Sequence, residues 1–255
     1  MKKQLAPVIA ELRLWRDQGL SLPLWWRDDD ATAPSPALDR LLDLAEGFVA
    51  PLHLAVVPHS AQETLSQCLR EAERVFAMPH GWRHQNHART AEKKAEFGAH
   101  RPLEVMLEDA ARGRVRIKAL FGPLALPVFT PPWNRVCPAV VAGLADCGFR
   151  AISRFRPRGE KYAAPGLLQV NCHLDPIAWH GAGGLSDVTR IAALIVAQLT
   201  DRRLAHADNT EPYGLLTHHL VHDEPLWTFT ESLIEVFLQS GVAEWVAPLR
   251  EAKAR

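Results

Sequence analysis

The chain has 255 residues, 47% hydrophobic and 23% charged, and its 29 Lys+Arg are balanced by 29 Asp+Glu. That length accommodates one sizeable α/β domain whose core needs no covalent staples. A zero formal charge provides no global basic field, so neither nucleic acid nor an anionic membrane is an expected partner.

Four cysteines (Cys68, Cys137, Cys147, Cys172) show no CxxC spacing, and Cys137 and Cys147, which flank an apolar helical stretch, read as small buried residues. The N-terminal stretch carries Leu5, Val8, Ile9, Leu12 and Trp15 at helical spacing, and Glu11, Arg13, Arg16 and Asp17 interrupt any signal-peptide core. No stretch approaches the ~20 apolar residues of a membrane span. A soluble, cytoplasmic protein is the expectation; oligomeric state is not legible.

Apolar runs then alternate with amphipathic ones. LPLWW (22–26) precedes a helix that Ser35 can cap, with Pro36 at its first position. LHLAVVP (52–58) is followed by helical SAQETLSQCLREAERV, and VFAMP (75–79) by a His-rich loop. RPLEVMLEDAARGRVRI reads as a helix, LPVFTPP (126–132) as a strand, and CPAVVAGLADCGF as a helix closed by Gly148. FRAISRF (149–155) and GLLQVNC (166–172) are strand-like, a long helix starts from Ser186, and YGLLTHH (213–219) is the last strand. Helical stretches from about Glu224 and Val242 finish the chain. Six or seven β-then-α units imply a parallel sheet with helices outside, closed or nearly closed into one β/α barrel spanning 1–255.

In such barrels the C-terminal ends of the strands form the site. Those ends read Arg27-Asp28-Asp29-Asp30, then His80-Gly81-Trp82-Arg83-His84 running on to His87, then Thr130-Pro131-Pro132-Trp133-Asn134-Arg135. Two more carry His173, Asp175, Trp179 and His180, and finally His218, His219, His222 and Asp223. His80 and His84, four apart, can share a metal if a helical turn follows the strand. One Asp from another strand would complete a two-His, one-carboxylate set with open positions, suited to catalytic Zn²⁺. A bound cation would also explain why three adjacent carboxylates are tolerated.

This order of motifs resembles the polysaccharide deacetylase superfamily, carbohydrate esterase family 4, over roughly residues 22–222. Arg27-Asp28-Asp29-Asp30-Ala31 is similar to the family's TFDDG strand end, and His80-Gly81-Trp82-Arg83-His84 to its H-[ST]-x-x-H motif. Thr130-Pro131-Pro132-Trp133 is similar to RPPY, Asp175-Pro176-Ile177-Ala178-Trp179 to D-x-x-D-W, and Leu215-Leu216-Thr217-His218 to L-x-x-H. The resemblance implies a distorted (β/α)7 barrel in a divergent intracellular member that hydrolyses an N-acetyl group on an amino sugar. It further implies Asp29 as general base, Asp30, His80 and His84 as metal ligands, and His218 as general acid.

The departures from the family pattern carry their own expectations. Thr130 stands where the family has the arginine that orients the catalytic Asp, so Arg27 or Arg135 would substitute. Ala178 replaces the second Asp of the fourth motif, leaving Asp175 to tune the acid histidine, and Ala31 replaces a glycine. Strand alternation places Asp28 and Asp30 on one face, so Asp29 and Asp30 can act together only if the strand breaks there. His219 and His222 rival His218 as acid, His87 is a spare ligand candidate, and Asp28 a spare carboxylate. Trp82, Trp133 and Trp179 are candidate sugar platforms, and a backbone N–H near Trp133 an oxyanion donor. The substrate expected is a small or carrier-linked amino sugar. Rival readings are a binding or regulatory module that lost its chemistry through Thr130 and Ala178, and an Fe(II) oxidative site.

Overall fold

In the computed structural model, which describes residues 1–70, 72, 74–180 and 183–247, the chain opens with helix α1 (Ala6–Asp17), burying Val8, Leu12 and Trp15. It continues through β1 (Leu22–Ala31), α2 (Pro36–Gly47), β2 (Leu52–Val56), α3 (Glu63–Cys68), β3 (Val75–Pro79) and α4 (Leu103–Phe121). There follow β4 (Val128–Phe129), α5 (Pro138–Gly143), β5 (Ala151–Ile152), β6 (Tyr162–Ala164) and β7 (Leu167–Gln169). The last elements are α6 (Val188–Arg203), β8 (Tyr213–Thr217), α7 (Glu224–Gln239) and β9 (Ala243–Trp245).

Strands β3-β2-β1-β8 form a curled parallel half-barrel, and β4-β5-β7 a second parallel sheet. Backbone hydrogen bonds stitch the two together at both seams. Leu126 N donates to Ala77 O (2.8 Å) and Thr130 N to Pro79 O (3.1 Å) on one side. On the other, the chain beyond β7 pairs with β8, His173 N donating to Gly214 O (2.7 Å) and Leu216 N to Leu174 O (2.8 Å). The result is the α/β architecture expected, a distorted barrel of parallel strands wrapped by helices.

Both faces of β1 are buried, as a parallel sheet under helices requires. Leu22, Leu24 and Trp26 pack outward into the large apolar cluster beneath the helices. Trp25 points inward, against Phe76, Met78, Val128, Val170 and Leu216. The same alternation carries Arg27 and Asp29 along the inner face and Asp28 along the outer one.

The caps explain several boundaries. Ser35 Oγ accepts from Leu38 N (3.1 Å) with Pro36 leading α2, as the sequence predicts. Helix α6 starts at Val188, capped by Asp187 rather than begun at Ser186, since the Asp187 carboxylate reaches Arg190 N at 2.8 Å. Helices α3 and α5 are much shorter than their apolar patterns suggest. Strands β4 and β5 shrink to two residues each, and Pro127, Pro131 and Pro132 around β4 cannot donate to a ladder. The helix expected from Val242 is instead β9, parallel to the start of β1. Trp245 stacks on Trp26 (6.2 Å between centroids) and Val246 N donates to Leu24 O (2.8 Å). Strand β6, not anticipated, returns antiparallel to β7.

His53 lies inside the barrel below the strand ends, paired in register with Arg27. It is fully buried, edge-on to Trp25 and stacked on Phe76, with Nδ1 3.0 Å from Trp26 O. Burial drives its pKa down to about 4, so it is neutral in the fold. The unfolded chain takes up this proton near pH 6.5, the fold only near 4. His53 therefore contributes stability above pH 6.5 that is lost as pH falls toward 4, by about 3 kcal/mol for a shift of this size. Urea unfolding of His53→Phe between pH 7 and 4 should show a shallower loss than the unsubstituted protein; parallel curves would contradict this.

Candidate metal and catalytic site

At Asp30 the strand is interrupted by an irregularity before pairing resumes at Ala31. Asp30 has φ +75°, a left-handed conformation that Asp tolerates better than most residues, and the register against β2 shifts between Asp29 and Ala31. Without that twist Asp30 would follow Asp28 to the outer face. With it, Asp30 Oδ1 lies 3.2 Å from His80 Nε2 and 3.3 Å from His84 Nε2. The sequence's conflict between adjacency and alternation is thereby resolved in favour of Asp29 and Asp30 on one side.

No helical turn presents the two histidines. His80 follows β3 directly, bridged to Thr130, and the chain then turns through Gly81 (φ +59°) and His84 (φ +56°), bringing the rings to 5.1 Å between centroids. The buried carboxylate of Glu96 holds this turn, accepting from the amides of Trp82 (3.2 Å), Arg83 (2.7 Å) and His84 (3.2 Å). His80 Nδ1 sits 3.1 Å from Thr130 O, an atom that can only accept, so Nδ1 carries a proton and Nε2 is the nitrogen turned toward Asp30.

A divalent cation fits this donor set. One oxygen of Asp30 and one nitrogen each of His80 and His84 lie within 4.8 Å of one another. Asp30 Oδ1 is buried and receives no well-aligned hydrogen bond from either ring. Burial opposes the Asp30 charge, but His80, His84 and His218 outweigh it and hold its carboxyl far below the usual range. Burial likewise opposes charge on His80, where Asp29 and Asp30 prevail and raise its pKa. On His84, burial and the neighbouring His80 prevail over Asp30 and Asp29 and lower its pKa.

Beside this set, Asp29 is clamped by Arg27. Nε donates to Oδ1 (2.8 Å) and Nη2 to Oδ2 (2.9 Å), while the rest of the guanidinium binds Ser153 Oγ (2.8 Å), Asn134 Oδ1 (2.7 Å) and Arg154 O (3.4 Å). Both side chains are essentially excluded from solvent. Arg27 thus holds both oxygens of Asp29, a contact that Thr130 does not make. Neither does Arg135: it donates to Lys94 O (2.8 Å) in an exposed contact. Thr130 contributes only its carbonyl to the site.

Asp28 faces the other way, away from the metal-capable set. It accepts from Thr217 Oγ1 (2.7 Å) and His219 N (2.9 Å), and its Oδ1 lies 2.5 Å from His219 Nδ1. Burial disfavours charge on His219, but the Asp28 carboxylate raises its pKa nonetheless. This pair ties β1 to the turn after β8. His222 packs edge-on to Trp227 (4.6 Å), and burial lowers its pKa to about 4. His87 joins no metal-capable group among the described residues.

His218 remains on the inner side, Nε2 3.9 Å from Asp29 Oδ2 and only 9% exposed. The edge of Trp179 meets its ring at 4.7 Å. Asp175 reaches His218 through that indole, accepting from Trp179 Nε1 (2.7 Å) and Ile177 N (3.0 Å). Burial pushes the Asp175 carboxyl up. Trp133 packs on His84 (4.3 Å) and is half-buried, and Trp179 is 53% exposed, so both indoles reach solvent. Trp82 does not: it is buried in the core, capped by Arg112 and edged by His59.

No family model and no curated protein matches this sequence. Solved structures do. A Mycobacterium smegmatis protein described as a polysaccharide deacetylase aligns at TM-score 0.63 and 15% identity, over 93% of each chain. A family 4 acetyl xylan esterase from Clostridium thermocellum, solved with a cobalt ion, aligns at 0.51 and 16%, covering 90% of this chain and 91% of the other. A mutant of a peptidoglycan deacetylase from Bacillus subtilis aligns at 0.53 and 15%, covering 91% and 92%. Across about nine-tenths of its length, the chain has the fold of the carbohydrate esterase family 4 polysaccharide deacetylases.

Proposed function

We propose that the protein is a metal-dependent hydrolase that removes an N-acetyl group from an amino sugar or related carbohydrate. The observation that carries this is the juxtaposition of an arginine-clamped carboxylate, Asp29, with a separate metal-capable set, Asp30, His80 and His84. Zn²⁺ suits those donors and, when bound, would acidify water and polarise the acyl carbonyl. Asp29 accepts the proton of the attacking water, its carboxylate held in one orientation by Arg27. The Trp133 amide, which finds no acceptor among the described residues, donates to the oxyanion, and the Trp133 ring packs on His84. His218 delivers a proton to the leaving nitrogen, which cannot depart as an amide anion. Trp133 and Trp179 offer apolar faces to a sugar ring, free or carrier-linked.

The deciding experiment combines metal binding with acetate release. Chelator-stripped protein should take up one equivalent of Zn²⁺ or Co²⁺ and release acetate from at least one of a panel of N-acetylated amino sugars. Asp30→Ala should abolish both properties. Fully metal-loaded protein that releases no acetate from any of them would favour the binding-module reading instead.

Two of the imidazoles after β8, His218 and His219, should separate cleanly. His218→Ala is expected to lower kcat about 10²- to 10³-fold with little change in stability. His219→Ala should cost about 3 kcal/mol in urea unfolding, because it leaves the buried Asp28 carboxylate short of its partner. Near-normal turnover in His218→Ala would remove it as the acid.

A further inference from the structure

Glu96 belongs to none of the motifs that drew attention to the site, yet its carboxylate is 1% exposed and directed wholly at the histidine turn. Oε2 accepts from the amides of Trp82 and His84, and Oε1 from that of Arg83. Three consecutive amides pointing at one carboxylate specify the backbone of residues 82–84, including the left-handed conformation at His84. A non-glycine residue at φ +56° costs free energy that the surroundings must offset. Charge-assisted hydrogen bonds to a buried carboxylate are strong enough to do so.

The position of Glu96 is set independently of the turn. The neighbouring Phe97 is fully buried against Phe129 (4.9 Å), and Phe97 O accepts from Cys137 N (2.8 Å). Ala95 O accepts from His87 N (3.0 Å), and Arg101 Nη1 donates to Glu96 O (3.3 Å). The fit on the other side is equally tight. A Cβ at Gly81 would lie 2.2 Å from Glu96 Oε2 and 2.6 Å from Pro132 Cδ, and one at Gly113 would lie 2.7 Å from Gly81 O. The turn is thus wedged between a carboxylate, a proline and α4.

We infer that Glu96 is a positioning residue for the metal site: it fixes the 82–84 backbone so that His84 Nε2 faces Asp30 and His80. This rests on the proposed role of Asp30, His80 and His84 as metal ligands. Groups that orient ligands through hydrogen bonds commonly change metal affinity by about 10- to 100-fold when removed. A carboxylate that merely anchored a loop would affect stability alone.

Cobalt(II) titration, followed by its visible absorption, separates the two roles. Glu96→Gln keeps the shape but turns one acceptor into a donor facing amide donors. It should weaken Co²⁺ binding at least about tenfold and alter the absorption bands. Glu211→Gln is the matched control. Glu211 is also buried and accepts from the amides of Arg158 and Asn171, but lies in a separate network with His173 and Arg202. It should lower the melting temperature and leave Co²⁺ affinity within about twofold, well inside the change expected at position 96. If Glu96→Gln does not fold by circular dichroism, Glu96→Asp, which retains the charge and cannot span all three amides, is read by the same criteria. Unchanged affinity and spectrum in the folded variant overturn the inference alone. Failure of the unsubstituted protein to bind Co²⁺ overturns the metal reading and the inference with it.

Discussion

Replacing Asp29 by Asn is expected to reduce kcat about 10³-fold while leaving one equivalent of metal in place. The separation comes from the irregularity at Asp30. Because Asp29 stays on the same inner face as Arg27 and Asp30 twists away from the strand's alternation, the two carboxylates have different partners. Asp30, His80 and His84 are untouched by the substitution, so metal uptake should persist. What disappears is the group that accepts a proton. Asparagine cannot take one, and its Nδ2 would also oppose a guanidinium N–H, so stability should fall as well. Turnover and metal content measured on the same preparation check the claim. Loss of metal in Asp29→Asn would mean that Asp29 is a ligand, and near-normal turnover would mean that it is not the base.

Much of this site is legible in the sequence because strand ends concentrate polar residues that have no other reason to interrupt apolar runs. Arg27 to Asp30, His80, His84 and His218 stand out in that way. The pairing of Asp29 with Asp30 is harder to read, since it depends on a single left-handed residue that no periodicity announces. The spacing of His80 and His84 suggests a helical turn; the structure instead uses Gly81, a left-handed His84 and a distant carboxylate. Glu96 gives no signal at all. It sits in an irregular segment, 12 residues beyond His84 in the chain, and only the fold brings it beneath the turn. Asn134 and Ser153 complete the shell of Arg27; the first stands among the polar strand-end residues, but Ser153 is a single small polar residue within the strand-like run FRAISRF and gives no signal of that contact. Strand β9 escapes a sequence reading for a related reason: Ala243–Trp245 is too short to display a period of its own, and its strand form comes from pairing with β1.

Arg27→Met should be among the most damaging single changes in the protein. The guanidinium is fully buried and surrounded by acceptors, two of them the oxygens of a carboxylate that is itself only 2% exposed. Burial disfavours the charge on Arg27, but Asp29 outweighs it and raises the pKa, so the guanidinium stays charged across the working pH range. Methionine fills a similar volume and supplies no donor, leaving Asp29, Ser153 Oγ and Asn134 Oδ1 without their partner. Breaking a buried pair from one side costs about 3–5 kcal/mol. For a chain of this length that corresponds to a fall in melting temperature on the order of 10 °C. Lysine should not rescue it, because a single ammonium cannot reproduce two parallel bonds to the carboxylate while holding Ser153 and Asn134. The double variant Arg27→Met/Asp29→Leu provides the internal check. With both charges removed, it should recover part of the lost stability while remaining without turnover. If the double variant is no more stable than Arg27→Met, the destabilisation does not come from an unpaired carboxylate. If Arg27→Met retains both stability and turnover, the arginine clamp is not what orients Asp29.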